Sequence, residues 1–318
     1  MELSIIIPLL NEAESIQELY GSLINVLSQN NYDFEVVFID DGSTDNSVDI
    51  IKNIIKNDPR IHLIEFRKNF GKAMALQAGF RFCEGDIVIT MDADLQDDPN
   101  EIPRFIAKLE EGYDLVSGWK YHRHDSLEKR LPSKLFNKVT STLSGVKLHD
   151  FNCGFKAYRK KVIDSIDVYG ELHRYIPVLA HRYGFKITEI AINHKTRPYG
   201  KSKYGFERYL SGLFDSVSVS FLLKYHNKPM YMFGKLGMLM LTIGFLICAY
   251  LTVEWFQGVP IGSRPLLLLG ILLMILGVQF FSSGLIADLV VDATYRDRYN
   301  TDHIKEIVSH KVKRKYDY

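Results

Sequence analysis

Cysteine is scarce in this 318-residue chain: Cys83, Cys153 and Cys248 are three in number and far apart. Their odd count and wide spacing exclude a disulfide framework and a zinc site. An excess of basic charge is missing too. Lys and Arg number 39 against 38 Asp and Glu, a net charge of +1, which excludes a general nucleic-acid binder. With 24% charged and 12% aromatic residues, the chain is not mainly disordered. No internal repeat or low-complexity tract is visible. No signal peptide is expected either, because the apolar run at 5–10 is short, lacks a basic leader and breaks into Asn11-Glu12.

What the chain does have is two long uncharged runs, 18 residues over 236–253 and 23 over 265–287. A mean hydropathy of −0.05 conceals them, because the other residues are polar. About twenty apolar residues cross a bilayer, so the pair reads as a transmembrane hairpin over 230–290. Its turn carries Gly258, Pro260, Gly262 and Pro265. Lys224, Lys228 and Lys235 precede the first span; Arg296, Arg298, Lys305 and the basic run 311–315 follow the second; the turn holds only Arg264 beside Glu254. By the positive-inside rule both termini face the cytoplasm, and 291–318 is a basic cytoplasmic tail. Cys83 and Cys153 then belong to a cytosolic domain and Cys248 to lipid. Residues 206–229 place Phe206, Leu210, Leu213, Phe214, Val217 and Phe221 on one helical face, with mostly polar residues opposite. The pattern suits a core helix or an interfacial one, and its position before a span favours the interface.

Residues 1–205 read as one catalytic domain. Apolar runs at 3–8, 34–40, 61–66, 86–91 and 114–117 alternate with helix-period segments, the pattern of a parallel α/β sheet. Helices are expected over 15–27, after a Thr44 or Asp45 cap, and from Pro99. The strand runs are continuous rather than alternating, so both sheet faces should be covered by helices.

Chemistry concentrates at the strand ends, where open α/β sheets bind ligands. The fourth strand runs into Asp92-Ala-Asp94-Leu-Gln96-Asp97-Asp98-Pro99. Two carboxylates so placed repel each other unless a cation joins them, and Mg²⁺ or Mn²⁺ suits hard oxygen ligands that reach toward substrate phosphates. A solvated acidic turn capping the next helix is the plainer alternative. The second strand ends in Asp40-Asp41-Gly42-Ser43, where a carboxylate can accept from a ribose or a base. The first ends in Pro8, Asn11 and Glu12, and the third in Arg67-Lys68-Asn69-Phe70-Gly71-Lys72. Each alone is a loop; four together on one rim read as a nucleotide-plus-metal cleft. The histidines 122, 124, 149, 173, 181 and 194 lack metal spacing and read as surface or core residues, with His149 beside Asp150 the one candidate.

These motifs together resemble the inverting family-2 glycosyltransferases of GT-A fold. The C-terminal hairpin and the segment Arg197-Pro-Tyr-Gly-Lys201-Ser202-Lys203-Tyr204 narrow the resemblance to the polyprenyl-phosphate (dolichol-phosphate) branch with a membrane anchor. It implies a nucleotide-sugar donor (UDP- or GDP-linked), a divalent metal at Asp94 with Asp92 and Gln96 nearby, and a lipid-phosphate acceptor. It also implies that Pro8, Glu12 and Asp41 line the nucleoside pocket, to which Asn11, Asn69, Lys72, Gln96 and Lys120 are added as donor-binding candidates. The Gly-Phe-Arg motif of relatives reads Gly154-Phe155-Lys156 here, Asp150 stands where an acidic residue is expected nearby, and Lys120, with Arg123 close behind, replaces an arginine after the fifth strand.

An acceptor phosphate monoester has its second pKa near ~6 and is largely dianionic at neutral pH. It needs no strong general base, so Asp150 orients rather than deprotonates. Cations must instead bring the two anions together. Arg123, Lys156, Arg197, Lys201, Ser202 and Lys203 are the acceptor-phosphate candidates; attraction of the basic loop to anionic lipids is the alternative, and both can hold. Gly200-Lys201-Ser202 is not a P-loop, since residue 195 is Lys. A processive polysaccharide synthase is disfavoured, because no Gln-x-x-Arg-Trp occurs, nor does a Glu-Asp dipeptide. A diacylglycerol glycosyltransferase, a catalytically idle sugar-nucleotide binder and a homo-oligomer remain open readings.

Overall fold

The computed structural model describes residues 2–121, 137, 140–142, 144–193 and 229–297. The chain forms two compact units, Met1–Ser220 and Phe221–Tyr318. The boundary expected at 205, residues 206–228 of the amphipathic segment and residues 298–318 of the basic tail lie outside the described residues.

The first unit is α/β. Its described strands are β1 (Leu3–Leu9), β2 (Phe34–Asp40), β3 (Ile61–Glu65), β4 (Ile87–Thr90), β5 (Leu115–Lys120), β6 (Lys156–Arg159) and β7 (Ile187–Ile192). They form one sheet in the order β3-β2-β1-β4-β6-β5-β7. All neighbours are parallel except β4–β6 and β6–β5. The five expected strands are found to within a few residues; β6 and β7 are additions. β6 is four residues long and begins with a charged lysine, so no apolar run marks it.

Helices α1 (Ala13–Gln29), α2 (Ser47–Ile55), α3 (Lys72–Phe82) and α4 (Ile102–Glu110) cross between strands; α5 (Lys160–Asp164) and α6 (Ile176–Arg182) follow β6. Every residue of β2 and all but one of β1 are buried, as a sheet covered on both faces requires. α1 presents Ile16, Leu19, Leu23 and Leu27 to that core. Phe105 of α4 stacks on Phe155 at 4.4 Å. Pro99 opens a 3₁₀ turn that leads into α4, with the Asp98 carboxylate accepting the Asn100 N–H at 3.1 Å. The expected cap of α2 is corrected. Asn46 occupies the cap position, the Asp45 carboxylate accepts the Ser47 N–H at 3.0 Å from one residue earlier, and the Thr44 N–H donates to the Asn11 side chain.

The second unit is a helical hairpin, α7 (Met230–Phe256) and α8 (Pro265–Asp297), each long and apolar enough to cross a membrane. α8 continues past the expected end at 290. More than half of the described side chains of both helices are exposed, among them Phe245, Leu246, Leu268 and Leu289. That is far more contiguous apolar surface than a water-soluble protein shows. The helices meet through glycines spaced by seven, Gly237 and Gly244 on α7 against Gly270, Gly277 and Gly284 on α8. A Cβ on Gly237 would stand 2.7 Å from the Gly277 carbonyl oxygen, and one on Gly244 2.7 Å from that of Gly270. Small residues allow this backbone approach where lipid offers no hydrophobic drive.

Candidate active site

β1 is bonded to β2 on one side and to β4 on the other, so the strand order reverses at β1 and opens a crevice beyond its carboxyl end. β1 to β4 are parallel and deliver their ends to one rim. The loops on this rim are tied to one another. After β1, Asn11 adopts a left-handed φ of 52°. Its N–H donates to Ser43 Oγ at 2.8 Å and its side-chain oxygen accepts the Thr44 N–H at 2.7 Å. The Glu12 N–H donates to Ser47 Oγ at 3.0 Å and the Ala13 N–H to Asp45 at 3.2 Å. Asn11 and Glu12 thus come together with the loop after β2, while Pro8 stays in β1 opposite Ile39.

Asp40 and Asp41 divide the labour at the end of β2. Asp40 Oδ2 accepts the N–H groups of Gly42 and Ser43 at 3.1 and 2.9 Å, closing its own turn. Asp41 is buried, and its carboxylate accepts the Phe70 N–H at 2.7 Å and the Gly71 N–H at 3.0 Å. Gly42, at φ +79°, packs on the backbone of Lys68 and Asn69, where any Cβ would collide. The loop carrying Asn69 is therefore clamped onto the end of β2. Lys72 follows as the first residue of α3, and its ammonium pairs with the carboxylate of Asp92.

Asp92 and Asp94 stand where the crevice was expected, just beyond β4. The Asp92 N–H donates to Asp97 Oδ2 at 3.2 Å, and Asp94 Oδ1 accepts the Gln96 N–H at 3.1 Å across Leu95, itself at φ 61°. Burial alone would raise the Asp92 carboxyl; the ammoniums of Lys72, Lys120 and Lys156 outweigh it and hold the group well below the usual carboxylate range. Asp97 goes the other way. Burial, reinforced by the charges of Asp92 and Asp94, pushes it up to about 6 against the pull of Lys120. Lys120, at the end of β5, is raised despite its burial by Asp97, Cys153, Asp92 and Asp150.

The segment 150–155 packs against this centre. The Thr90 hydroxyl donates to the Gly154 carbonyl at 2.7 Å, and Gly154 itself abuts the Asp92 carboxylate. Asp150 is buried and accepts the Asn152 N–H at 3.0 Å. Lys156, an acceptor-phosphate candidate by sequence, is corrected. It is buried, with its ammonium on the carbonyl oxygens of Phe151 and Cys153, and burial lowers its pKa. It braces this segment instead of meeting solvent. Arg123, Arg197, Lys201, Ser202 and Lys203 lie outside the described residues.

The position of one histidine and the partners of another escaped the sequence. His173 sits in the 3₁₀ turn Leu172–Tyr175, within electrostatic reach of Lys72 and Asp92; burial, with the charges of Lys72, Arg174 and Lys156, lowers its pKa to about 2 and keeps the ring neutral. No spacing from Asp92 could have found it. His149 stacks on Trp119 at 4.1 Å, and its ring and backbone N–H both engage Glu189. The dipeptide with Asp150 hinted at the histidine, not at its partners.

The geometry agrees with comparisons to known proteins. Residues 4–167 match the model of glycosyl transferase family 2. A dodecaprenyl-phosphate galacturonate synthase of Rhizobium johnstonii is 35% identical over 310 residues, covering 96% of this chain and 92% of that protein. An undecaprenyl-phosphate 4-deoxy-4-formamido-L-arabinose transferase of Shewanella sediminis is 36% identical over 314 residues, covering 95% and 92%. The GT-A fold is shared with glucosyl-3-phosphoglycerate synthase from Mycobacterium tuberculosis, whose crystal structure holds Mn²⁺, UDP and phosphoglyceric acid. It aligns over 68% of this chain and 78% of that one, with a TM-score of 0.50 at 20% identity. With a family model over half its length and relatives matching along nearly all of it, the chain belongs to the family 2 glycosyltransferases, among enzymes that transfer sugars to polyprenyl phosphates.

Proposed function

We propose that this enzyme transfers a sugar from a nucleotide-sugar onto a polyprenyl phosphate at the cytoplasmic face of a membrane, inverting the anomeric carbon. The observation that carries the reading is the Asp92–Lys72 pair at the sheet's switch point, with Asp94 two residues on and Asp41 holding the loop that delivers Lys72. The relatives' names supply the acceptor class, and the two spans put the enzyme where such an acceptor resides. The basic flanks of the hairpin support cytoplasmic termini.

A divalent ion fits the carboxylate oxygens of Asp92 and Asp94, with Gln96 beside them. Among the described residues no group of three or more His, Cys, Asp or Glu is arranged to hold a metal alone. One or two carboxylates completed by a diphosphate is the usual habit of Mg²⁺ at such sites. When bound, the ion would act as a Lewis acid on the departing nucleoside diphosphate. Lys72, paired with Asp92, brings positive charge to the same place. Pro8, Asn11, Glu12, Asp41, Asn69 and Lys120 shape the nucleoside and diphosphate side. Asp150, buried and turned onto Asn152, suits positioning, which is all a dianionic acceptor requires. Arg123, Arg197, Lys201 and Lys203 provide cations, and Ser202 a hydroxyl, for the acceptor phosphate.

The test is the detergent-solubilised full chain with a panel of labelled UDP- and GDP-sugars and undecaprenyl phosphate, scored for organic-phase product. The expected product releases its sugar in mild acid and survives mild base, and Asp94→Ala and chelation each abolish it. A product formed only with diacylglycerol, or no product from any donor, overturns the proposal.

A further inference from the structure

Asp92 has two close neighbours of opposite kind. Gly154 abuts its carboxylate so nearly that a Cβ there would stand 2.7 Å from both oxygens, and that neighbour is backbone, which cannot swing aside. The Lys72 ammonium pairs with Asp92 Oδ1, and the two side chains keep 31% and 29% of their surface exposed. The neighbour able to yield is therefore the lysine. Its backbone is anchored, because the Asp41 carboxylate accepts the N–H groups of the two residues before it. Its four-carbon stem is flexible all the same.

An ion at Asp92 and Asp94 must take an oxygen that this ammonium already holds. Little else is on offer. Among the described residues no group of three or more His, Cys, Asp or Glu could hold a metal, and Asp94 Oδ1 already accepts the Gln96 N–H at 3.1 Å. A divalent ion arriving alone would meet one contested carboxylate, one partly engaged, and the charges of Lys72, Lys120 and Lys156 opposing it. A diphosphate changes both sides of this balance. Its oxygens complete the coordination of the ion, and its charge gives the Lys72 ammonium another anion to bind.

We propose that Lys72 contends with the divalent ion for Asp92 and gives way only when a nucleoside diphosphate is there to receive its ammonium, so that metal and donor enter the site together. This gate presupposes the metal-dependent transfer proposed above and adds an order of binding to it. Linkage is reciprocal. If the nucleotide tightens the ion, the ion tightens the nucleotide by the same factor, and Lys72 sets that factor.

The test reads binding and needs no turnover. Mn²⁺ is titrated into the detergent-solubilised full chain without nucleotide, the free ion being followed by electron paramagnetic resonance. Lys72→Met is expected to bind it about tenfold more tightly than wild type. Lys72→Arg, which keeps the cation, should stay close to wild type, and Asp92→Asn added to Lys72→Met should remove the gain. UDP and GDP are then titrated by calorimetry with and without Mn²⁺. In wild type the ion should tighten one of them at least about tenfold, and in Lys72→Met by much less. If Lys72→Met does not fold, Lys72→Gln serves as the uncharged replacement. Equal nucleotide-free affinity in wild type and the uncharged variant overturns the gate, and so does wild-type nucleotide binding that Mn²⁺ leaves unchanged; both results leave the transferase standing. Mn²⁺ bound by no variant, with or without nucleotide, overturns the metal reading and the gate with it. Coupled binding with no transfer product from any donor upholds the gate and sinks the transferase.

Discussion

Gly154 lies so close to Asp92 that a Cβ on the glycine would fall 2.7 Å from both carboxylate oxygens. The carbonyl of the same glycine is held by the Thr90 hydroxyl on β4. The strand that carries Asp92 therefore also fixes the backbone on which its carboxylate rests. Gly154→Ala must move that carboxylate or the segment beneath it. Displacements of about 1 Å at a reacting centre cost roughly a hundredfold. We expect a loss of turnover near that size, with the far-ultraviolet circular dichroism unchanged. Turnover within about threefold of wild type would show that Asp92 has room to yield.

Asp41 reaches Asp92 only through Lys72. It holds the N–H groups of Phe70 and Gly71, and the next residue pairs with Asp92. If positioning Lys72 is its main task, Asp41→Ala and Lys72→Met are not independent. Each should lower kcat/KM for the donor by roughly one to two orders of magnitude, and the double variant should be little worse than the weaker single one. Coupled neighbours show such interaction energies, whereas unconnected sites add. Simple additivity in this double-mutant cycle would show that Asp41 contacts the donor on its own account.

The readable parts of this chain were those whose pattern is local. Continuous apolar runs marked β1 to β5, and Asp92 and Asp94 could be placed because a strand end is a sequence feature. β6 was invisible because its four residues, Lys156 to Arg159, carry no apolar run, and its antiparallel insertion between β4 and β5 is a tertiary choice. The same holds for side chains. Lys156 read as a phosphate-binding cation because it stands where the resembled family carries the arginine of Gly-Phe-Arg, while its ammonium turns inward to carbonyls contributed by the very segment that precedes it. The glycine interval of seven in the hairpin was in plain view and became meaningful only once the two helices faced each other.

Asp58 offers a test of stability that does not touch the active site. Arg60 binds it through two nitrogens, at 2.9 and 2.8 Å, and the Tyr20 hydroxyl donates to it at 3.1 Å. The Arg60 hydrogen bond, opposed by burial and joined by further bonds, lowers the Asp58 pKa. A lowered carboxyl stabilises the fold above its unfolded pKa of about 3.9 and loses that contribution as pH falls through the native value. Since Arg60 is partly exposed, the contribution is discounted for screening. Asp58→Asn should cost about 1 to 2 kcal/mol at pH 7, and the gap to wild type should close as pH drops below about 4. Thermal unfolding of the full chain in detergent, followed at both pH values, reads this directly. A gap that widens in acid would reverse the sign of the argument.

The hairpin makes an equally direct demand on side-chain size. A Cβ on Gly244 would meet the Gly270 carbonyl oxygen at 2.7 Å and the Met274 backbone nitrogen at 2.9 Å, and backbone cannot swing aside as a side chain can. Gly244→Leu must force α7 and α8 apart, and overpacking of this kind costs about 1 to 3 kcal/mol. Gly262, in the turn, has no atom within 4 Å of its Cβ position, so Gly262→Ala serves as the matched control. The first variant should unfold at a lower temperature in detergent and the second should not. The separation should also release the bond from the Met230 N–H to Asp288, 3.2 Å long across the mouth of the hairpin. Amide hydrogen exchange at Met230 should therefore quicken in Gly244→Leu and stay slow in Gly262→Ala. Slow exchange in both would mean that the helices are held together elsewhere than along their glycines.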